Sequence, residues 1–259
     1  MGEGPEDEAR PDRPSLPPTQ QRVVEAALRL SRARDAVALR YAVSEGDDHG
    51  RVVARGPDLL DHVMEASRGW RDLVATRTAG PLSSAGMVRA LQNNQRILGD
   101  GTRMQSVFAD HGFDDDLPDL LSGHSTHYRM GLVPFEMKIL DQRTVMLEGP
   151  TVDHGRSVML VSHPAVLSAA LAYWSAVRRA SDPAVAVAER GAGPLSVFSA
   201  RQRAVVALLG RGVADDPAAD LLGISVRTLR AEVAAVKDLL GVDTRFAAGV
   251  ALGRLHAER

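Results

Sequence analysis

Residues 221–242 read LLGISVRTLRAEVAAVKDLLGV, and this stretch contains the clearest structural signals in the chain. The turn signal is Gly-Ile-Ser at 223–225, in which Ser225 can cap the helix that follows. Apolar residues then recur at helical spacing over 226–240, so the pattern predicts one helix there. Gly241 is expected to end that helix, because glycine readily adopts the left-handed conformation found after helix ends.

The pattern on both sides of this stretch is also helical. Ser199 followed by Gln202 is a capping box, in which each side chain bonds the backbone amide of the other residue. Pro217 suits the first turn of a helix capped by Asp215 or Asp216. The expected helices are Ser199 to Leu209, Asp216 to Leu222, Val226 to Leu240 and Thr244 to His256. The second and third of these, joined by a tight turn, form a helix-turn-helix.

The order and spacing of four segments resemble the LuxR-type helix-turn-helix domain. The segments are FSARQR at 198–203, LLGRG at 208–212, LGISVRTL at 222–229 and KDLLGVDTR at 237–245. The resemblance implies that the third helix lies in the major groove of DNA and that the fourth forms a dimer contact. Carried over position by position, it places Arg230, Ala231 and Ala234 at base edges, and Ser225, Arg227, Thr228 and Lys237 near phosphates.

Charge limits the kind of DNA contact that is possible. The chain has 31 basic and 33 acidic residues, so a DNA-binding surface has to be local. Asp215 and Asp216 open the second helix, and Ala231 and Ala234 cannot donate hydrogen bonds to bases. An alternative therefore stays open, in which the chain is an adaptor without DNA binding, for example in a biosynthetic pathway.

Helical and strand periods alternate across residues 20–180, which predicts a mixed α/β domain ahead of the all-α four-helix domain at 198–259. We expect a hairpin over 128–147 with its turn at 141–143. The other expected elements are one long or two short helices over 20–42, helices over 58–67, 84–98, 117–121 and 164–179, and strands over 71–77, 102–109 and 157–161.

The segment PFEMKILDQRTVML at 134–147 resembles the degenerate phospholipase D-like or TrmB-like sensor module found upstream of such domains in actinobacterial regulators. Active members of that superfamily need His-x-Lys-x4-Asp, with histidine as nucleophile. Lys138 fills the lysine place, but Glu136 and Arg143 stand where histidine and aspartate are required. We therefore expect no enzyme activity, although Lys138 and Arg143 can still bind a ligand. A degenerate enzyme acting on phosphate esters would need another nucleophile close to Lys138.

Histidines and aspartates cluster between 111 and 127, which invites a metal interpretation because both are zinc or iron ligands. However, Gly112, Pro118 and Gly123 favour a polar loop, and no third ligand stands at a diagnostic spacing. We expect no metal and no cofactor. The cluster consists of His111, Asp114, Asp115, Asp116, His124 and His127.

The remaining segments predict the organisation of the chain. Residues 1–19 are rich in proline and acid, which predicts a disordered tail, and the composition of 181–197 predicts a linker. The chain contains no cysteine, which excludes disulfide scaffolds and thiolate metal sites. Without a signal peptide or a membrane-spanning stretch, we expect a cytoplasmic, homodimeric regulator that binds double-stranded DNA and responds to a small-molecule or protein effector.

Overall fold

The computed structural model describes residues 16–44, 50–55, 63, 65, 69–78, 84–111, 116–123, 126–151, 155–191 and 193–257. Residues 1–15 of the expected tail and most of the helix expected over 58–67 lie outside that range. The first helix begins at Pro18, within the segment expected to be disordered. Within the described ranges, no helix combines the length and the apolar character needed to cross a bilayer.

The described residues form one mixed sheet with helices on both faces. Its strand order is β1-β7-β6-β5-β2-β3-β4-β8, in which β2 runs parallel to β3 and β3 parallel to β4, while the other neighbours are antiparallel. The strands are β1 (Gly50–Arg55), β2 (Asp72–Arg77), β3 (Arg103–Ala109), β4 (Tyr128–Gly131), β5 (Met137–Leu140), β6 (Thr144–Glu148), β7 (Ser157–Val161) and β8 (Ser181–Pro183).

The helices include four consecutive ones at the C-terminal end, within one residue of the predicted bounds. The first of these four begins with the capping box that the sequence predicts, in which Ser199 and Gln202 bond each other's backbone amides. The helices are α1 (Pro18–Ser44), α2 (Ser84–Gly99), α3 (Leu117–Ser122), α4 (Pro164–Arg179), α5 (Ala184–Gly191), α6 (Ala200–Gly210), α7 (Asp215–Leu222), α8 (Val226–Leu240) and α9 (Arg245–Ala257).

Side-chain alternation along the strands builds two cores. In β3, Met104 and Phe108 face one side of the sheet, while Val107 and Ala109 face the other. α1 and α4 cover the second side. The first side is covered by α2 and α3 and also by buried residues of α6, α7 and α8, so the C-terminal helices share a hydrophobic core with the sheet.

The predicted hairpin is confirmed for β5 and β6, but the run before it is a separate strand. The turn has three residues, 141–143, as predicted, and its first two, Asp141 and Gln142, have positive φ. The carboxylate of Asp141 accepts hydrogen bonds from the amides of Arg71 and Asp72, which anchors the turn to β2. The prediction of a single hairpin over 128–147 is wrong, because Tyr128–Gly131 pairs in parallel with β3 instead.

Residues 181–191 and 193–197 have regular structure, in contrast to the linker that the composition of 181–197 predicts. Ser181–Pro183 adds an edge strand to β4, and the helix α5 and a 3₁₀ turn at Gly193–Val197 follow. Ala184, Ala188 and Leu195 are buried. Small residues can therefore pack closely here even though they give no sustained apolar period.

We predict that Gly131→Ala lowers the free energy of unfolding by about 1–3 kcal/mol, the usual cost of overpacking a tight site. A Cβ atom at Gly131 would lie 3.0 Å from the Cα of Ser181 and 3.1 Å from the carbonyl oxygen of Ala180, both backbone atoms of the neighbouring segment. Gly99→Ala is the control, because a Cβ atom there meets nothing within 4 Å. Urea unfolding of both variants tests this, and equal stabilities would contradict it.

Candidate nucleic-acid interface

The turn between α7 and α8 has the geometry that its sequence predicts. α7 ends at Gly223, which has φ of 63°, and the side chain of Ser225 caps α8 by accepting a hydrogen bond from the amide of Thr228 at 3.1 Å. The predicted cap of α7 is wrong, since Ala214 is the N-cap residue and makes no side-chain bond. Asp215 lies in the first turn, and its carboxylate is engaged by arginines instead.

α8 has one buried and one exposed face. Leu229, Val233 and Val236 are buried against α6, α7 and the 3₁₀ turn. Helical spacing puts the predicted contact residues on the outer side, where Arg227, Arg230, Ala231 and Ala234 are all exposed. The structure therefore brings these four residues together on one solvent-facing surface, which we call the outer face of α8.

The outer face carries one unengaged arginine and one partly neutralised arginine. The side chain of Arg227 makes no hydrogen bond or ion pair with any described residue. Arg230 is 67% exposed and lies 3.4 Å from Asp215, which also receives two hydrogen bonds from Arg245 at 2.8 and 3.0 Å. The hydrogen bond from Arg245 lowers the pKa of Asp215, so this carboxylate keeps its charge beside the outer face.

The other residues predicted near phosphates lie at the two ends of α8. At the N-terminal end, the hydroxyls of Ser225 and Thr228 are 2.8 Å apart. Lys237 lies in the last turn, where its amine donates to the carbonyl of Asp243 at 3.1 Å. Glu232 is turned towards α6, 3.6 Å from Arg201. The two hydroxyls and Arg227 therefore lie at the first turn of α8, whereas Lys237 lies at its opposite end.

Two ion pairs join the C-terminal helices to the sheet layer through α3. Arg203 donates from Nε to Asp119 at 2.7 Å and from Nη1 to the carbonyl of Phe198 at 2.7 Å. Arg211 pairs with Asp116 through both Nε and Nη2. α2 adds a third link, since the side-chain amide of Gln95 donates to the carbonyl of Leu221 at 3.0 Å.

These contacts also account for part of the histidine and aspartate cluster. Asp116 occupies the N-cap position of α3 but makes no capping bond, because its carboxylate faces Arg211. His127 contacts the carbonyl of Met104 through Nδ1 at 3.1 Å, and His111 contacts Asp110 at 2.8 Å. Asp114, Asp115 and His124 lie outside the described residues. Within the described part of the chain, no three acidic or histidine side chains converge as metal ligands would.

Lys138 and Arg143, the two predicted ligand-binding residues, lie at different places on the hairpin. Arg143 is exposed in the turn between β5 and β6. Lys138 is half-buried in the wall of a small cavity of about 50 Å³ between β2, β5 and α2. The same wall contains Asn93, whose side-chain oxygen is buried and has no hydrogen-bond partner among the described residues. Burial, reinforced by Arg77, lowers the pKa of Lys138 to about 8.

We predict that the lowered pKa makes stability depend on pH. In the unfolded chain the lysine keeps its proton up to about pH 10.5, whereas in the folded chain it loses the proton above about pH 8. The unfolded state therefore binds more protons between these values, and the free energy of unfolding should rise by about 2 kcal/mol from pH 7 to pH 10. Urea unfolding across this range tests the rise. Lys138→Met should be more stable than the native chain at pH 7 and lack this rise, and identical profiles would contradict the prediction.

Sequence reasoning did not identify Arg203, Arg211 or Asn93. The carboxylate partners of both arginines lie more than eighty positions earlier in the chain, so no local spacing links them. Asn93 lies in a helix with no motif around it, and only the fold shows that its side chain is buried. No protein-family model matches this chain, and no curated protein does either.

Proposed function

We propose that this chain is a sequence-specific DNA-binding transcriptional regulator, with a LuxR-type helix-turn-helix in its C-terminal helices and an effector-binding α/β domain. The observation that carries the proposal is the outer face of α8. It begins with an exposed arginine, Arg227, that has no partner among the described residues, and with two hydroxyls at the N-terminal end of the helix. Arginine recognises guanine or phosphate, and helix N-termini with serine or threonine bind phosphate oxygens.

Dimerisation through α9 is part of this proposal. Phe246 is 83% exposed, and Val250, one helical turn further along, is also exposed. An apolar pair at this spacing forms a contact strip that a second copy of α9 can cover. A dimer of this kind would present two copies of α8 to half-sites about one helical turn of DNA apart.

The small cavity beside Lys138 is the effector site in this proposal. Lys138 and Arg77 bring two positive charges close together, and the unpartnered oxygen of Asn93 adds a hydrogen-bond acceptor. Glu136 offsets part of the charge, because it lies 3.8 Å from Arg77. The cavity holds only about 50 Å³, so what fits beside this set is one small group of an effector, with an anionic and a hydrogen-bond-donating atom. Arg143 takes no part, because it lies away from the cavity wall.

Binding to random and genomic DNA fragments at low and moderate salt tests the function. We expect salt-sensitive binding by the native chain and binding about three- to tenfold tighter by Asp215→Asn, since that change removes a negative charge and releases Arg230 and Arg245. Asp182→Asn is the matched control, because Asp182 is an exposed aspartate in β8 paired with Arg190. Fluorescence anisotropy measures all three proteins.

The adaptor alternative is favoured by one specific observation. Asp215 neutralises part of the positive charge near α8, and Ala231 and Ala234 leave the middle of the outer face without hydrogen-bond donors. An adaptor surface of this kind would bind a protein partner rather than DNA. If neither the native chain nor Asp215→Asn binds DNA in a salt-sensitive way, the regulator proposal fails and the adaptor interpretation takes its place.

A further inference from the structure

A large cavity lies between the C-terminal helices, on the opposite side of α8 from its outer face. Its volume is about 980 Å³, near the upper end of the range of about 300–1,000 Å³ that is usual for small-molecule sites. Apolar side chains of α6, α8 and α9 form most of the wall, among them Val206, Leu209, Val236 and Leu252. Three of these, Val206, Leu209 and Leu252, are only partly buried, so apolar surface is left uncovered inside the cavity.

One buried donor in the cavity wall lacks an acceptor. Arg203 is 5% exposed, and its Nε and Nη1 atoms are bonded to Asp119 and to the carbonyl of Phe198. The third nitrogen, Nη2, is buried without a hydrogen-bond partner among the described residues. A buried guanidinium nitrogen rarely lacks an acceptor, because the lost hydration has to be replaced.

The acidic side chains around the cavity are already paired with basic ones. Asp119 accepts from Arg203, Asp116 pairs with Arg211, and Asp215 pairs with Arg245. Lys237 also lines the cavity, and its amine makes its hydrogen bond to a backbone carbonyl rather than to a carboxylate. The wall therefore has donor capacity to spare and an excess of positive charge, which favours an anionic group on the occupant.

Two glycines leave space on the side of the cavity that α9 forms. Gly249 and Gly253 both line it, and a Cβ atom built on either would meet no atom within 4 Å. Close packing therefore does not require glycine at these positions, although glycine inside a helix is less favourable than alanine. The absent side chains leave room for another molecule against the helix.

We propose that this cavity binds a small organic acid with an apolar body, whose carboxylate accepts a hydrogen bond from Arg203 Nη2 once the side chains around that buried atom move aside. The body lies against Val206, Leu209 and Leu252, beside the two glycines of α9. This site is separate from the Lys138 cavity. Binding of the acid between the C-terminal helices does not depend on the chain being a DNA-binding protein. The bound acid also contacts the inner side of α8 through Val236.

Isothermal titration of the full chain with decanoate tests the proposal, with 1-decanol as the probe that lacks the carboxylate. We expect decanoate to bind at least about tenfold more tightly than 1-decanol. Gly249→Leu and Gly253→Leu should each weaken decanoate binding at least about tenfold, because leucine fills the cavity. Gly99→Leu is the matched control, since Gly99 also has open space around it but lies at the end of α2.

Arg203→Lys adds a second, chemical test, because lysine keeps a positive charge beside Asp119 but lacks Nη2. We expect this variant to lose the preference for decanoate over 1-decanol while its thermal unfolding stays cooperative. Three results would overturn the proposal: no decanoate binding below about 1 mM, equal binding of the acid and the alcohol by the native chain, or glycine variants that bind decanoate like the native chain. The glycine variants decide the matter if Arg203→Lys does not fold.

Discussion

Replacing Arg227 and Arg230 together with alanine is expected to weaken DNA binding by about 30-fold or more at physiological salt. Each arginine that contacts a base or phosphate contributes about 1–3 kcal/mol, and two lost contacts multiply. Both side chains are exposed on the first half of α8, and Arg227 has no partner within the described protein that would compete with DNA. Replacing Arg227 should therefore remove the full binding energy of its DNA contact. Replacing Arg230 should remove only part, because Arg230 must break its ion pair with Asp215 before it contacts DNA.

The salt dependence of the same binding separates a direct contact from a general charge effect. The slope of log K against log salt concentration should become shallower by about one for each lost phosphate contact. Arg103→Ala with Arg156→Ala is the matched control, because both arginines are exposed and lie near an acidic partner away from α8, Arg103 at the start of β3 and Arg156 directly before β7. If the control pair weakens binding as much as the α8 pair, α8 is not the recognition element.

The C-terminal helices could be predicted because their signals are local. Ser199, Ser225, Gly223 and Gly241 each act on a helix end only a few residues away, and the structure has all four in the predicted roles. The N-cap of α7 was predicted wrongly because a long-range ion pair between Asp215 and Arg245 outcompetes the local bond.

The sheet was harder to predict because its pairing is not local. The strands β2, β3 and β7 have strong apolar patterns and were predicted close to their bounds. β1 and β8 were not predicted. β8 contains only three residues, and its place at the edge of the sheet depends on pairing with β4, some fifty positions earlier. β4 was not recognised as a strand outside the hairpin for the same reason, since it pairs with β3 rather than with the next strand in sequence.

The candidate sites also contain one feature that local sequence predicts and others that depend on tertiary packing. Helical periodicity on its own predicts which side of α8 faces outward, and the exposed positions agree with it. The position of Lys138 in a cavity wall, by contrast, depends on α2 packing over β2 and β5, and no spacing along the chain indicates that. The same holds for the ion pair between α3 and α6, because Asp119 and Arg203 lie 84 positions apart in the chain.

We expect Asp119→Ala to lower the free energy of unfolding by about 3–5 kcal/mol, the usual cost of leaving one charge of a buried pair uncompensated. The side chains of Asp119 and Arg203 are 11% and 5% exposed, and their atoms Oδ1 and Nε are 2.7 Å apart. Without the carboxylate, the guanidinium of Arg203 stays buried with only the carbonyl of Phe198 as a partner in the described structure. Urea unfolding followed by circular dichroism measures the change.

Two comparison variants test whether the loss of stability comes from burial of the ion pair. Asp182→Ala breaks a pair of similar length, 2.6 Å to Arg190, but both of those side chains are exposed, so it should cost less than about 1 kcal/mol. The double variant Asp119→Leu with Arg203→Met should recover most of the stability lost in Asp119→Ala, because an apolar pair needs no compensating charge. If Asp119→Ala costs no more than Asp182→Ala, the buried pair does not hold the C-terminal helices against α3. The shared hydrophobic core would then be what fixes their position on the sheet.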